Sequence, residues 1–139
     1  TALRFLSFVR DLINQAHFST AEHHPDVDEM IEKSCFDFGR RLDRRIDLRV
    51  YCRENGWGYE SFRKAFKKAI GTSPGQYIVR RRMDEACRLL RSTPQRISEI
   101  AANLGYSSPY EFSNQFKRQF GVFPSQFRGA GEAHMGERG

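Results

Sequence analysis

Lys64 and Asn114 stand 50 positions apart, each in a short stretch that carries further cations: Arg63, Lys67 and Lys68 in one, Lys117 and Arg118 in the other. A lysine ammonium can donate to guanine O6 or N7, and an asparagine amide can pair bidentately with adenine. Glu60 adds an acceptor suited to a cytosine amino group. Arg63, Lys67, Lys68, Lys117 and Arg118 suit phosphate, where they fix register and orientation without carrying sequence information. The plain alternative for each one is a solvated helix side chain. Taken together they describe recognition of a polyanion whose specificity rests on a few groups.

The equal spacing comes from a repeat. Phe62, Phe66, Lys67, Lys68, Gly71, Pro74, Gln76 and Tyr77 recur 50 residues later as Phe112, Phe116, Lys117, Arg118, Gly121, Pro124, Gln126 and Phe127. In the first copy a helix starts near Asp47, faces Leu48, Tyr51 and Cys52 inward, and ends at Asn55 and Gly56. Gly56 to Gly58 form a turn, and a second helix runs from about Tyr59 to Ala69 with Phe62, Ala65, Phe66 and Ile70 on one face. That spacing is a helix-turn-helix. Ile97, Ile100, Ala101 and Leu104 open the second copy at an offset of 49, whereas Phe112 onward matches at 50, so the second turn is one residue longer. Ser108, Pro109, Tyr110 and Glu111 form a capping box for its second helix. The inward faces leave Glu60, Ser61, Arg63, Lys64 and Lys67 exposed in the first copy, and Tyr110, Glu111, Ser113, Asn114 and Lys117 in the second. Side chains near the start of such a helix are the ones that reach base edges in a major groove.

Between the copies, Ser73, Pro74, Gly75 and Gln76 read as a capping box opening a long helix that Thr93 and Pro94 stop at Ser92. From Pro74 to Ser92 it measures roughly 27 Å at about 1.5 Å per residue, against about 34 Å for one turn of DNA. Arg80, Arg81 and Arg82 on this helix either add phosphate contacts or form a solvated basic run. Upstream, apolar spacing predicts a helix over residues 3 to 16, a polar linker from His17 to Pro25, and a second helix over about 26 to 43. The expected fold is all-α: two helix-turn-helix subdomains joined by a long linker helix and preceded by one or two further helices. The expected divisions are 1–25 for the first helix and linker, 26–92 for the first subdomain with linker helix 74–92, 93–128 for the second subdomain, and 129–139 for a flexible tail.

Charge supports the same partner. Residues 1 to 38 carry 3 basic and 7 acidic side chains, whereas residues 39 to 128 carry 19 basic and 8 acidic, a surplus of 11 in a chain whose net charge is +6. The positive excess therefore lies on the repeat, which favours a polyanionic partner, and the helix-turn-helix units make double-stranded DNA the one expected. No apolar run is long enough to span a bilayer, so no membrane partner is expected and a cytoplasmic location is the expectation. Cys35, Cys52 and Cys87 are scattered and read as reduced packing residues. His17, His23, His24 and His134 have no metal-ligand spacing, and no phosphate loop, nucleophile elbow or H-E-x-x-H motif occurs. No cofactor, no metal and no catalysis are expected.

The stretch from Ile97 to Arg128, I-S-E-I-A-A-N-L-G-Y-S-S-P-Y-E-F-S-N-Q-F-K-R-Q-F-G-V-F-P-S-Q-F-R, resembles the AraC/XylS family of bacterial transcription regulators. With the unit from Ile46 to Tyr77 the resemblance covers about residues 46 to 128. It implies base-reading positions at Glu60, Ser61 and Lys64, and at Tyr110, Ser113 and Asn114, in agreement with the exposed set. It also implies an activator that touches RNA polymerase, and an N-terminal domain that binds an effector and makes a homodimer, of which residues 3 to 16 look like the end. The sequence departs from the family pattern at Gly56-Trp57-Gly58, which lacks a Ser or Thr cap, at Phe123, where Ser is usual, and at Asn114, where Arg is common. The competing readings are a non-specific or architectural nucleic-acid binder, a DNA-repair alkyltransferase, which would need clustered cysteines, and a protein-interaction module.

Overall fold

The computed structural model describes residues 25–136. Among them the secondary structure is seven helices and no strand: α1 (Pro25–Arg40), α2 (Leu48–Glu54), α3 (Tyr59–Ile70), α4 (Pro74–Ser92), α5 (Ile97–Asn103), α6 (Pro109–Phe120) and α7 (Pro124–Gly136). The expected helix at residues 3 to 16 and its linker through residue 24 lie outside the described residues.

The helix boundaries follow from local chemistry. Asp47 caps α2, its carboxylate accepting from the backbone N–H of Arg49 at 3.0 Å and of Val50 at 3.1 Å. Gly58 precedes α3 without any side-chain cap. Ser108 caps α6 through the Glu111 N–H at 3.1 Å. The expected reciprocal half of that box is not made, because the Glu111 carboxylate is taken by Ser107 and Arg45. The boxes that open α4 and α7 divide the same work differently. Ser73 Oγ accepts from the Gln76 N–H at 3.3 Å, whereas in the second copy, where Phe123 offers no hydroxyl, Gln126 reaches back to the Phe123 N–H at 3.0 Å. The turn between α2 and α3 spans residues 55–58 and that between α5 and α6 spans 104–108, so the extra residue sits in the second turn.

The chain divides into two compact units, Ile46–Ile78 with the residues up to Arg41, and Val79 onward with Leu42–Arg45. The division falls inside α4, between Ile78 and Val79. In unit 1, α1 supplies Phe38, whose ring lies 5.1 Å from Tyr51, 6.1 Å from Phe66 and 6.4 Å from both Phe62 and Tyr77. Burying that ring among four others stabilises the unit by about 3–5 kcal/mol against truncation to Ala. Cys35 and Cys52 lie in the same core, and burial pushes the Cys52 thiol up, which suits packing rather than reactivity. In unit 2, Met83, Ala86 and Leu90 of α4 pack with Ile100, Phe112 and Phe116.

Two boundaries differ from the sequence reading. The helix α1 stops at Arg40 instead of continuing to residue 43, because the backbone of residues 42–45 is engaged by unit 2. At the other end, α7 continues to Gly136, through the stretch expected to be a tail from residue 129. Apolar spacing lapses after Phe127, and the backbone bonds that propagate a helix leave no trace in that pattern.

Candidate nucleic-acid interface

In unit 1, Phe62 and Phe66 turn inward and are fully buried, which fixes the opposite face of α3 toward solvent. Glu60, Ser61, Arg63, Lys64, Lys67 and Lys68 are all exposed on that helix. Glu60 and Arg63 are also joined, carboxylate to guanidinium at 3.0 Å, with both side chains largely in solvent. The cytosine contact expected at Glu60 and the phosphate contact expected at Arg63 would therefore draw on groups that hold each other. An exposed pair of this kind is worth only about 0.2–1 kcal/mol, so DNA can exchange it at little cost.

Unit 2 repeats the arrangement with a different surface. Phe112 and Phe116 are fully buried, Tyr110 is 77% exposed, and Lys117 and Arg118 lie in solvent. Ser113 and Asn114, expected on the outside, are instead half-buried. Lys117 also sits over the Phe123 ring at 4.3 Å, beside an exposed apolar edge made by Phe120, Val122 and Phe123. No helix of the described residues is long and apolar enough to cross a membrane. Among the described residues no group of three or more His, Cys, Asp or Glu could hold a metal ion.

The profile of a helix-turn-helix domain family matches residues 51–130, which is more than half of the chain and spans both copies of the repeat. The chain belongs to the AraC/XylS family. The regulatory protein SoxS of Escherichia coli K12 is 33% identical over 87 residues, covering 63% of this chain and 81% of SoxS. The transcriptional activator AarP of Providencia stuartii is 31% identical over 87 residues, covering 63% of this chain and 64% of AarP. The chain thus spans less than two thirds of AarP, and 23% and 32% of two further regulators that it matches. The DNA-binding domain of AdpA, solved with a target DNA, shares the fold at a TM-score of 0.70 and 24% identity, covering 75% of this chain and 94% of that one. This is an all-α DNA-binding domain of the AraC/XylS type, and the family is one of transcription regulators.

Several polar groups of this AraC/XylS domain escaped the sequence reading. Arg82 is not a phosphate contact: it is buried, donates to the Arg44 carbonyl, and lies 5.9 Å from the Tyr106 ring, so burial pulls its pKa below the usual arginine range. Of the three consecutive arginines only Arg80 is exposed, and Arg81 is half-buried. Arg128 places its guanidinium on three carbonyls at the end of α4, those of Leu90 at 3.1 Å, Gln95 at 2.6 Å and Thr93 at 3.2 Å. A cation there answers the unpaired carbonyls and the negative end of the helix dipole. Glu111, near the start of α6, accepts from Ser107 and pairs with Arg45, and these partners hold its carboxyl below the usual range. No periodicity marks Arg45, Arg82 or Arg128, since each acts through one long side chain on distant backbone or charge.

Proposed function

We propose that this chain is the sequence-specific, double-stranded DNA-binding part of a bacterial transcription regulator, and that α3 and α6 enter adjacent major-groove segments. The observation that carries the reading is the pair of helix-turn-helix units. Each buries two phenylalanines and presents a cationic edge beside a polar helix start. In this reading Glu60, Ser61 and Lys64 contact bases from α3, and Tyr110, Ser113 and Asn114 from α6. Arg63, Lys67, Lys68, Lys117 and Arg118 meet phosphates. An activating role draws support from the transcriptional activator AarP among the relatives.

A non-specific binder would need only the surplus of positive charge. Competition separates the two. The chain should hold its selected site at least about a thousandfold more tightly than random duplex at the same salt. A ratio near one would overturn the proposal in favour of the non-specific reading.

A further inference from the structure

We infer that residues 43–45, together with Arg82 and Tyr106, form a polar brace that sets the position of α6 and so governs base discrimination by unit 2. The inference rests on the reading of α6 as a DNA reader. Three contacts carry it. Gly105, with φ +79°, packs so closely on this segment that an added Cβ would lie 2.9 Å from the Asp43 carbonyl oxygen and 3.0 Å from Arg44 Cα and N. Arg82, 8% exposed in the core of unit 2, donates to the Arg44 carbonyl from inside, and its ring neighbour Tyr106 donates its hydroxyl to Gln115 on α6. Arg45 then pairs with Glu111, one helical turn before Gln115 on the same face.

The consequence is geometric. Glu111 and Gln115 lie on either side of Ser113 and Asn114 in sequence, so the brace holds the stretch of α6 that would face bases. A buried guanidinium with its Nε left without a partner is an expensive group to keep, and apolar packing would serve stability as well or better. What the polar arrangement adds is direction, since hydrogen bonds fix orientation more tightly than apolar contact. A base-reading amide displaced by about 1 Å loses the bidentate geometry on which discrimination depends. Arg45, Arg82 and Tyr106 are therefore positioning residues that touch no DNA themselves.

The test is a base-by-base affinity scan with the full chain on a selected site, the two halves being assigned with Lys64→Ala and Asn114→Ala. Tyr106→Phe keeps the ring beside Arg82 and removes only the hydroxyl that reaches Gln115, and Arg45→Ala changes an exposed residue without touching the core. For both, discrimination under α6 should fall by about threefold or more while that under α3 stays unchanged. The reversed pair Arg45→Glu with Glu111→Arg should recover what Arg45→Ala loses. An equal loss of affinity across both halves, or no change under α6, would overturn the inference. Amide exchange along α6 without DNA gives a second readout: it should quicken in both variants, and unchanged protection would also overturn the brace. A wild-type chain that discriminates no base removes the proposed function and this inference together, and that result is read before any variant is made.

Discussion

Glu60 meets two demands at once, as partner of Arg63 and as the candidate acceptor for a cytosine amino group. Because the pair is solvent-exposed, removing the carboxylate frees Arg63 for phosphate at almost no cost in stability. Glu60→Gln should therefore raise overall affinity for DNA while relaxing the preference at one base pair. If affinity rises equally on every base substitution, Glu60 only holds Arg63. Asn114 is half-buried, so less of its side-chain freedom remains to be lost on binding. Asn114→Ala should weaken discrimination at one position by about 1–3 kcal/mol in a panel of substituted sites, and uniform weakening would assign it to packing instead.

Among the elements, α4 depends on a residue 36 positions beyond its end, Arg128. Replacing it by Ala leaves the carbonyls of Leu90, Thr93 and Gln95 without their cation and should lower the stability of unit 2 by about 1.5–3 kcal/mol in chemical denaturation. In α1, burial alone would raise the Asp37 carboxyl, but hydrogen bonds from Lys33 and Tyr51 outweigh it and hold it below the usual value. A carboxylate depressed in the folded state adds stability above its unfolded pKa of about 3.9 and loses it as the pH falls through the folded value. Unfolding free energy followed from pH 6 downward should therefore decline, and Asp37→Asn should flatten that decline. The caps at Asp47, Ser73 and Ser108 and the inward phenylalanines were legible in the sequence, because each follows from residues within one or two helical turns. The burial of Arg82, the clamp made by Arg128 and the engagement of residues 43–45 were not. Each joins positions more than 30 apart, and nothing in a basic side chain says whether it meets water, phosphate or a carbonyl. The end of α1 moved for the same reason.

For the whole molecule, electrostatics and asymmetry make separate predictions. Five phosphate contacts should give a log–log salt slope of about −4.5, and Lys68→Ala should reduce its magnitude by about 0.9 on every sequence alike. In the proposed reading specificity has a different source, since α3 would offer Glu60, Ser61 and Lys64 whereas α6 would offer Tyr110, Ser113 and Asn114. Two readers of such unlike chemistry, at the two copies of one repeat, call for different base sequences in the two halves of a site. Selection of bound duplexes from a random pool, carried out with the full chain, tests this most directly. One asymmetric site of two unlike halves is expected, with base preference relaxed at one position of the first half by Lys64→Ala and at one position of the second by Asn114→Ala. Recovery of a symmetric site, or of no shared sequence at all, would contradict it.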